Sequence, residues 1–177
     1  VSGGKENKND SVSMETKQLV LRPYVIEDAD AMFRNWANDP QVTKYLSWEP
    51  HKDVEETKQI LEGWIKSYES KDFYTWAIAR KEDEGNVIGS ISVPQLNQKA
   101  GRVTVGYCLG RNWWGHKIMK EAFAELIRFF FEVEGANRVE ALHDTRNVNS
   151  GKVMAACGLK KEGTLRRYGW NNQGICD

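Results

Sequence analysis

The segment GYCLGRNWWGHKIMKEA, residues 106–122, joins an apolar strand pattern to the longest helical pattern in the chain. Its loop contains Gly110 and Gly115, and apolar residues then recur at helical spacing from His116 to Glu134. The first backbone N–H groups of such a helix have no partner within it, and the helix dipole adds about half a positive charge there. The junction is therefore predicted to bind an anion, and a phosphate group in particular.

Four basic side chains at the same junction would strengthen this attraction. They are Arg111, His116, Lys117 and Lys120. The pattern is neither a Walker loop nor a GxGxxG fingerprint, which disfavours a nucleoside triphosphate or NAD as the ligand. Many loops between a strand and a helix carry glycine for turn geometry and lysine for solubility, so the residues alone also allow a purely structural loop.

On both sides of this junction the chain alternates strands and helices without internal repeats. Strands are predicted at Leu19–Arg22, Phe73–Ala79, Asn86–Val93, Arg102–Leu109, Arg138–Leu142 and Leu159–Trp170. Helices are predicted after Glu27, after Asp53, at His116–Glu134 and at Asn147–Cys157. This order indicates an α/β domain of the α+β type, with a mixed sheet and helices on its faces.

Composition limits the classes of function. The 177 residues include 25 basic and 25 acidic side chains, so the chain has no formal net charge and no general attraction to nucleic acids or anionic membranes. Its three cysteines, Cys108, Cys157 and Cys176, lack the spacing of a metal site or a disulfide framework. We therefore expect no metal, no nucleic-acid or membrane partner, and a reducing cytoplasmic location.

The N-terminal residues differ from the rest of the chain. Val1–Ser13 is rich in Ser, Gly, Asn and Lys and has almost no apolar side chains. This composition is typical of a disordered tail or of a cloning remnant. Met14 is then a plausible native start, and residues 14–177 form the predicted domain.

The motifs of the chain, taken in order, resemble those of the GNAT family of N-acetyltransferases, and within it the ribosomal-protein N-terminal alanine acetyltransferases. The resemblance extends from Leu19 to Asp177. Its carriers are Leu21-Arg22-Pro23, Asp28-Ala29, Asp39-Pro40, Val42–Leu46, Ile88–Ile91, Gly106-Tyr107, Trp114-Gly115, Glu121-Ala122, Asn147 with Ser150, Gly158-Leu159 and Glu162-Gly163. Each motif is common alone, but their joint order is specific.

The resemblance implies a single domain whose sheet is mostly antiparallel, with helices on both faces and splayed central strands. It also implies acetyl-CoA as cosubstrate, with its pyrophosphate at residues 112–117 and its pantetheine arm between the splayed strands. The implied cofactor contacts are Tyr107, Cys108, Leu109, Arg111, Asn112, Trp113, Trp114, Gly115, His116, Lys117, Ile118, Met119, Asn147 and Ser150.

Three side chains are candidates for catalysis under this resemblance. The backbone around Cys108 would stabilise the oxyanion, and Ser150 would act as general acid toward the departing thiolate. His143 could serve as the base. Each has a simpler interpretation as well: Cys108 as a small apolar strand residue, Ser150 as part of a helix cap with Asn147, and His143 as a structural or solvent-facing residue.

The implied reaction is transfer of an acetyl group to a primary amine by direct attack in a ternary complex. A protein or peptide N-terminal amine is the preferred acceptor, because its pKa of about 7.7–8.0 leaves it appreciably neutral. A polyamine or an aminoglycoside is the alternative acceptor. An alternative that is not an enzyme is a non-catalytic module that binds acyl-CoA.

Three departures from the family pattern favour that last alternative. Lys117 stands where the family usually has Gly or Ala, and Thr104 stands where relatives often have Glu. Asn112, where the family usually has Gln or Arg, is a further change but has Arg111 beside it. Relatives also continue beyond the position of Asp177 with a further strand. Without it, Leu165–Trp170 would have an unpaired edge, which would favour association such as a homodimer.

Overall fold

The computed structural model describes residues 12–177, so most of the predicted N-terminal tail lies outside the described residues. Six strands form one sheet in the order β1-β2-β3-β4-β5-β6. They are β1 (Met14–Glu15), β2 (Leu19–Arg22), β3 (Thr75–Arg80), β4 (Asp83–Asn97), β5 (Arg102–Leu109) and β6 (Arg138–Ala141). A separate hairpin consists of β7 (Gly169–Asn171) and β8 (Gly174–Cys176).

The sheet is mixed and mostly antiparallel, as the sequence predicted. Among the strand pairs of residues 12–177, β5 and β6 alone run parallel, because a helix crosses over between them. Their pairing runs from Arg102 opposite Arg138 to Val105 opposite Ala141 and then stops. Strand β5 continues to Leu109 with β4 as its sole partner among residues 12–177. Strands β5 and β6 are therefore splayed beyond Val105, which confirms the predicted opening beside β5.

Helices cover both faces of this sheet. They are α1 (Ala29–Met32), α2 (Pro40–Thr43), α3 (Val54–Ser67), α4 (Ile118–Glu132) and α5 (Val148–Ala156). Phe123, Leu126 and Phe130 of α4 are buried against one face of the sheet. Trp36 and Leu61, from the segment after α1 and from α3, are buried against the other face. None of the helices in residues 12–177 is long and apolar enough to cross a membrane.

The boundaries of α4 differ slightly from the prediction. The helix begins at Ile118 rather than His116, because Lys117 adopts a left-handed conformation with φ of 61°. At the other end, Gly135 has φ of 68° and turns the chain toward β6. The delayed start leaves the first turn of α4 directly next to the loop after β5.

The predicted final strand at Leu159–Trp170 is wrong. Strand structure is limited to Gly169–Asn171, which pairs with β8 and not with the main sheet. Residues 160–168 are all exposed, and Arg167 has φ of 54°. A strand needs one buried face, and this segment buries none. Among the described residues, the strand at this edge of the main sheet is β6.

The N-terminal end of the described chain contacts the domain. The carbonyl oxygen of Val12 accepts a hydrogen bond of 3.1 Å from Nε1 of Trp76, a buried residue of β3. Strand β1 then pairs with β2. Val12 and Ser13, which the sequence assigned to the tail, are thus held next to the sheet.

Candidate active site

The opening between β5 and β6 exposes backbone groups of Tyr107 and Leu109. The N–H of Gly110 donates to the carbonyl oxygen of Ile88 in β4. Because successive residues of a strand direct their N–H and C=O groups to alternate edges, those of Cys108 also point toward β4. The groups of Tyr107 and Leu109 point into the opening, where Nε1 of Trp114 donates to the Leu109 carbonyl oxygen at 2.8 Å.

Consecutive amides at the start of α4, here called the anion seat, have no acceptor within the described residues and are free to bind an anion. The N–H groups of residues 115–120 donate to no acceptor within residues 12–177, and the first bonded amide is that of Glu121 to the Lys117 carbonyl oxygen. Gly115 and Lys117 both have positive φ, at 80° and 61°. Alternation of such conformations turns neighbouring N–H groups toward a common point and makes a concave anion site.

The side chains of this loop divide into three groups. Asn112, His116 and Lys117 are exposed beside the anion seat. Ile118 and Met119 are buried in the core, so that only their amides are available to a ligand. The third group, Arg111, Trp113 and Trp114, makes contacts with the protein itself.

Arg111 is already paired in the structure. Its Nε lies 2.9 Å from Oδ2 of Asp39, the residue that caps the N-terminus of α2. The loop also lies close to the segment after α1, since a Cβ added at Gly110 would come within 2.7 Å of the Asn35 carbonyl oxygen and 2.8 Å of the Trp113 ring. The loop is thereby fixed against the helices on the opposite face from α4.

Tyr107 and Ser150 connect the two sides of the opening. The phenolic oxygen of Tyr107 is 2.9 Å from Oγ of Ser150 and 3.1 Å from its carbonyl oxygen. Burial raises the pKa of Tyr107 to about 12, so its hydroxyl stays protonated at physiological pH. The amide of Ser150 donates to Oδ1 of Asn147, which caps α5. Asn147 therefore has the capping function that its residue type suggested.

Cys108 faces the other side of the sheet from Tyr107. Its side chain packs against the cluster that contains Trp36 and Leu61. Burial raises the pKa of the Cys108 thiol to about 12. A thiol of that pKa provides almost no thiolate near neutral pH, which makes it a poor nucleophile. This geometry supports the interpretation of Cys108 as a small apolar strand residue that packs in the core and does not react.

His143 lies against α5. Its Nδ1 is 2.9 Å from the carbonyl oxygen of Asp144. A Cβ added at Gly151 would come within 2.8 Å of the imidazole ring, so the ring and the helix backbone are in close contact. His143 is thus next to the helix that carries Ser150, and the geometry favours a packing role for it.

The carboxylate nearest to the Thr104 position comes from the neighbouring strand. Oε1 of Glu140 accepts a hydrogen bond of 3.0 Å from the Thr104 hydroxyl. Arg138 binds the other oxygen at 2.7 Å and holds the pKa of Glu140 below its usual range. A carboxylate that is stabilised as an anion in this way is a weak base.

All three cysteines are free thiols. No group of three or more His, Cys, Asp or Glu side chains in the described part of the chain could hold a metal ion.

Sequence reasoning missed two features of this site. The Tyr107 hydroxyl bonds to Ser150, although the resemblance implied only that both residues contact the cofactor. Arg111 pairs with Asp39, although the sequence suggested that it faces the anion. The alternation of β5 could have placed Tyr107 on the side of α4, but the partner of Arg111 has no local sequence signal.

Comparison with known proteins agrees with this geometry. The model of the acetyltransferase (GNAT) domain matches residues 18–160. The uncharacterized N-acetyltransferase p20 of Bacillus licheniformis is 35% identical over 88% of this chain and 86% of its own. The [ribosomal protein uS5]-alanine N-acetyltransferase of Escherichia coli is 26% identical over 89% of this chain and 82% of its own.

A solved structure shows the same fold. The ribosomal L7/L12 α-N-protein acetyltransferase in complex with coenzyme A superposes with a TM-score of 0.80, covering 91% of this chain and 90% of that one at 18% identity. The sheet with its parallel β5–β6 pair, the opening beside Leu109 and the match of the family model over most of the domain lead to one conclusion: this chain belongs to the GNAT family of acetyltransferases.

Proposed function

We propose that the protein transfers the acetyl group of acetyl-CoA to the N-terminal α-amine of a protein or peptide, by direct attack in a ternary complex. The observation that carries this proposal is the row of unbonded amides at residues 115–120, directly next to the opening between β5 and β6. These amides suit the diphosphate of coenzyme A. The pantetheine arm would then extend along the Tyr107 and Leu109 backbone.

The proposed reaction has two steps, formation of the C–N bond and cleavage of the C–S bond. The neutral amine attacks the thioester carbonyl carbon, which forms the C–N bond and places negative charge on the carbonyl oxygen. An outward-facing N–H of Leu109 or Tyr107 would stabilise that charge. The C–S bond then breaks, the thiolate of coenzyme A leaves, and the amine nitrogen loses its extra proton to water or a weak base.

Ser150 is the proposed general acid for the leaving sulfur. Tyr107 can donate its proton to the carbonyl oxygen or to Oγ of Ser150. Either arrangement leaves the Ser150 proton available to the thiolate. Cys108 has no covalent role in this proposal, since burial raises the pKa of its thiol.

The choice of acceptor follows from the weakness of the available bases. Glu140 is held as an anion by Arg138, and His143 is packed against α5. An N-terminal α-amine, with a pKa of about 7.7–8.0, needs little help to lose its proton, whereas a lysine or polyamine nitrogen near 10.4 needs more. The alanine N-acetyltransferase among the relatives supports the same choice. Such an acceptor, together with the free cysteines, favours a cytoplasmic location.

Calorimetry followed by an assay of thiol release tests the proposal. Acetyl-CoA should bind in a one-to-one ratio, and peptides with an N-terminal alanine should release free coenzyme A faster than polyamines or aminoglycosides. Tight binding without turnover on any amine would indicate a non-catalytic acyl-CoA-binding module. Absence of acetyl-CoA binding would contradict both functions.

A further inference from the structure

The opening between β5 and β6 can be reached from two faces of the sheet. The anion seat, Tyr107 and Ser150 lie on the face that α4 covers. A coenzyme bound at the anion seat therefore occupies the opening from that face. The acceptor amine then approaches from the opposite face, where Val42 of α2 and Leu61 of α3 are buried.

The hairpin of β7 and β8 lies at the height of the reaction centre. Pairing of Val105 with Ala141 implies that Cys108 and Asp144, each three residues further along, lie at about the same height on the two sides of the opening. The buried Asp144 accepts a hydrogen bond of 2.8 Å from Nδ2 of Asn171. The turn of the hairpin is thus attached to the β6 side of the opening.

The β5 side of the opening is attached to α2. Two residues after Leu109, Nε of Arg111 lies 2.9 Å from Oδ2 of Asp39, which caps the N-terminus of α2. The last residue of this helix begins the segment 43–48, here called the α2 loop. Trp48 at its end packs against the apolar cluster on the face opposite α4. The α2 loop therefore lies on the face from which the acceptor approaches.

Asn172, in the turn of the hairpin, binds the α2 loop with three hydrogen bonds. Its Nδ2 donates to the carbonyl oxygens of Thr43 at 2.9 Å and of Trp48 at 2.8 Å, and its backbone N–H donates to that of Leu46 at 3.1 Å. Both partners of the side chain are acceptors, so they require the amide nitrogen and use both of its protons.

Together these contacts form a continuous frame around the opening on the face opposite α4. The frame runs from β5 through the ion pair of Arg111 and Asp39 to the α2 loop. From there it continues through Asn172 and the hairpin to Asp144 at the end of β6. An acceptor that reaches the thioester from this face therefore passes along the α2 loop.

The attachment of the α2 loop to the β6 side depends mainly on Asn172. Within residues 12–177, this loop has one other hydrogen bond to that side, from the Tyr45 hydroxyl to the Arg146 carbonyl oxygen. At 3.4 Å this bond is long and therefore weak.

We propose that Asn172 is a positioning residue for the acceptor, because it holds the α2 loop over the opening and so directs the acceptor amine to the thioester beside Leu109. This inference rests on the proposed function, since it requires an acceptor that enters the opening. Asn172 acts through the carbonyl groups of the α2 loop and takes no part in the bond changes. Its loss should weaken acceptor binding and leave acetyl-CoA binding unchanged, because the anion seat lies on the other face.

Steady-state kinetics of Asn172→Ala with acetyl-CoA and the amidated peptide Ala-Ala-Ala-Ala test the proposal. The KM for the peptide should rise by about fivefold to tenfold, the effect of two lost hydrogen bonds. The kcat value and the Kd of acetyl-CoA should stay within about twofold of the wild-type values. A merely structural role would lower the free energy of unfolding without a change in the KM of the folded protein, and this result would overturn the proposal.

Two further variants serve as matched controls. Asn172→Asp has nearly the same shape, but it directs carboxylate oxygens at two carbonyl oxygens, so the KM for the peptide should rise at least as much as in Asn172→Ala. Gln173→Ala changes the exposed neighbour, whose side chain donates only to the Asn172 carbonyl oxygen within residues 12–177, and it should leave KM unchanged. A wild-type KM in a folded Asn172→Asp protein would overturn the proposal.

Hydrogen exchange in the wild-type protein covers the case in which these variants do not fold. The N–H of Asn172 donates to the Leu46 carbonyl oxygen, so its exchange reports how often the α2 loop leaves the hairpin. Coenzyme A lacks the acetyl group, so its complex binds the peptide without reaction. Saturation of this complex with the peptide should slow the exchange by at least about threefold, because the acceptor binds the closed loop. An unchanged exchange rate would overturn the proposal.

Thiol release by the wild-type protein separates this inference from the proposed function. Turnover of the peptide with the same KM in the wild-type protein and in Asn172→Ala would overturn the positioning role and leave the acetyltransferase function intact. Absence of turnover with any amine would contradict the proposed function. Calorimetry of the peptide with the coenzyme A complex then decides the inference: weaker binding in Asn172→Ala would support it, and equal binding or none in the wild-type protein would overturn it.

Discussion

The hydroxyl of Tyr107 is 2.9 Å from Oγ of Ser150, so that a strand residue and a helix residue are joined across the opening of the sheet. Tyr107 also packs against Phe123 of α4, with 5.4 Å between the ring centroids. The ring is therefore fixed on one side by packing and on the other by the hydrogen bond. This arrangement orients the Ser150 hydroxyl before any ligand is present.

Ser150→Ala is expected to reduce kcat by about 100-fold, because the leaving thiolate loses its proton donor. The affinity for acetyl-CoA should change by less than about threefold, since the diphosphate contacts remain. Stopped-flow detection of free thiol and calorimetry measure the two quantities. The companion variant Tyr107→Phe should reduce kcat by about threefold to tenfold, the effect of one hydrogen bond. Unchanged turnover in Ser150→Ala would remove Ser150 from the mechanism.

Two substitutions of Lys117 should distinguish the effect of its charge on acetyl-CoA binding from the effect of its strained backbone on stability. Lys117→Ala removes the charge but keeps a Cβ at φ of 61°, so acetyl-CoA binding should weaken most at low salt, with little change in the free energy of unfolding. Lys117→Gly should weaken binding similarly, yet raise the free energy of unfolding by about 1 kcal/mol, because glycine tolerates this conformation. Tighter binding in Lys117→Ala would show instead that the long side chain crowds the seat.

Cys108→Ala should keep kcat within about threefold of the wild-type value, because the buried thiol with its raised pKa is not a nucleophile. The reaction should also show no acetyl-enzyme in mass spectra of the protein mixed with acetyl-CoA alone. A fall in kcat of about 100-fold in a folded Cys108→Ala protein, or an acetylated Cys108, would indicate a covalent intermediate.

His143→Ala should affect stability more than chemistry. The ring fills the space against Gly151, and its removal leaves a gap that should lower the free energy of unfolding by about 1–3 kcal/mol. The pH profile of kcat/KM should keep its shape. Loss of the lower limb of that profile in a folded variant would identify His143 as the base, contrary to the packing role.

Asp144→Asn should destabilise the C-terminal hairpin. Asp144 is buried, accepts a hydrogen bond of 2.8 Å from Nδ2 of Asn171 in β7, and pairs with Arg146, which holds its pKa far below the usual range. A depressed pKa stabilises the fold above the unfolded-state value of about 3.9, and this contribution is lost as the pH falls below it. In urea unfolding at pH 7, the free energy of unfolding of Asp144→Asn should be about 2 kcal/mol lower than that of the wild-type protein.

Urea unfolding of the wild-type protein and of Asp144→Asn at low pH provides the control for this prediction. The deficit of Asp144→Asn should shrink below about pH 4, because the carboxylate of the unfolded wild-type protein then takes up protons while the depressed pKa keeps the native carboxylate charged, which reduces the stability advantage of the wild-type protein. A deficit that stays constant from pH 7 to pH 3 would show that the carboxylate charge contributes nothing to folding.

Sequence patterns predicted the strands that bury apolar residues at regular spacing. Leu19–Arg22 and Arg102–Leu109 have the predicted bounds, because Leu and Val at alternate positions pack against α4. The start of α4 was placed two residues too early, since a left-handed lysine has no reliable sequence signal. The strand expected at Leu159–Trp170 is absent because its apolar residues have no face of the sheet to cover.

The candidate site was predictable where it depends on one continuous segment. The anion seat at residues 115–120 lies within the loop that the sequence singled out. Contacts between distant segments were not predictable, among them Tyr107 with Ser150 and Thr104 with Glu140.

The ion pair between Arg111 and Asp39 joins the loop before α4 to α2, which lies with the helices on the other face of the sheet. Coupling between two binding sites is reciprocal: a factor by which one ligand alters the affinity for the other applies in both directions. If coenzyme binding moves Arg111, the affinity for the acceptor must change by the same factor as acceptor binding changes the affinity for the coenzyme. The double-mutant cycle of these two residues then measures how much of the coupling between the two ligands depends on this salt bridge.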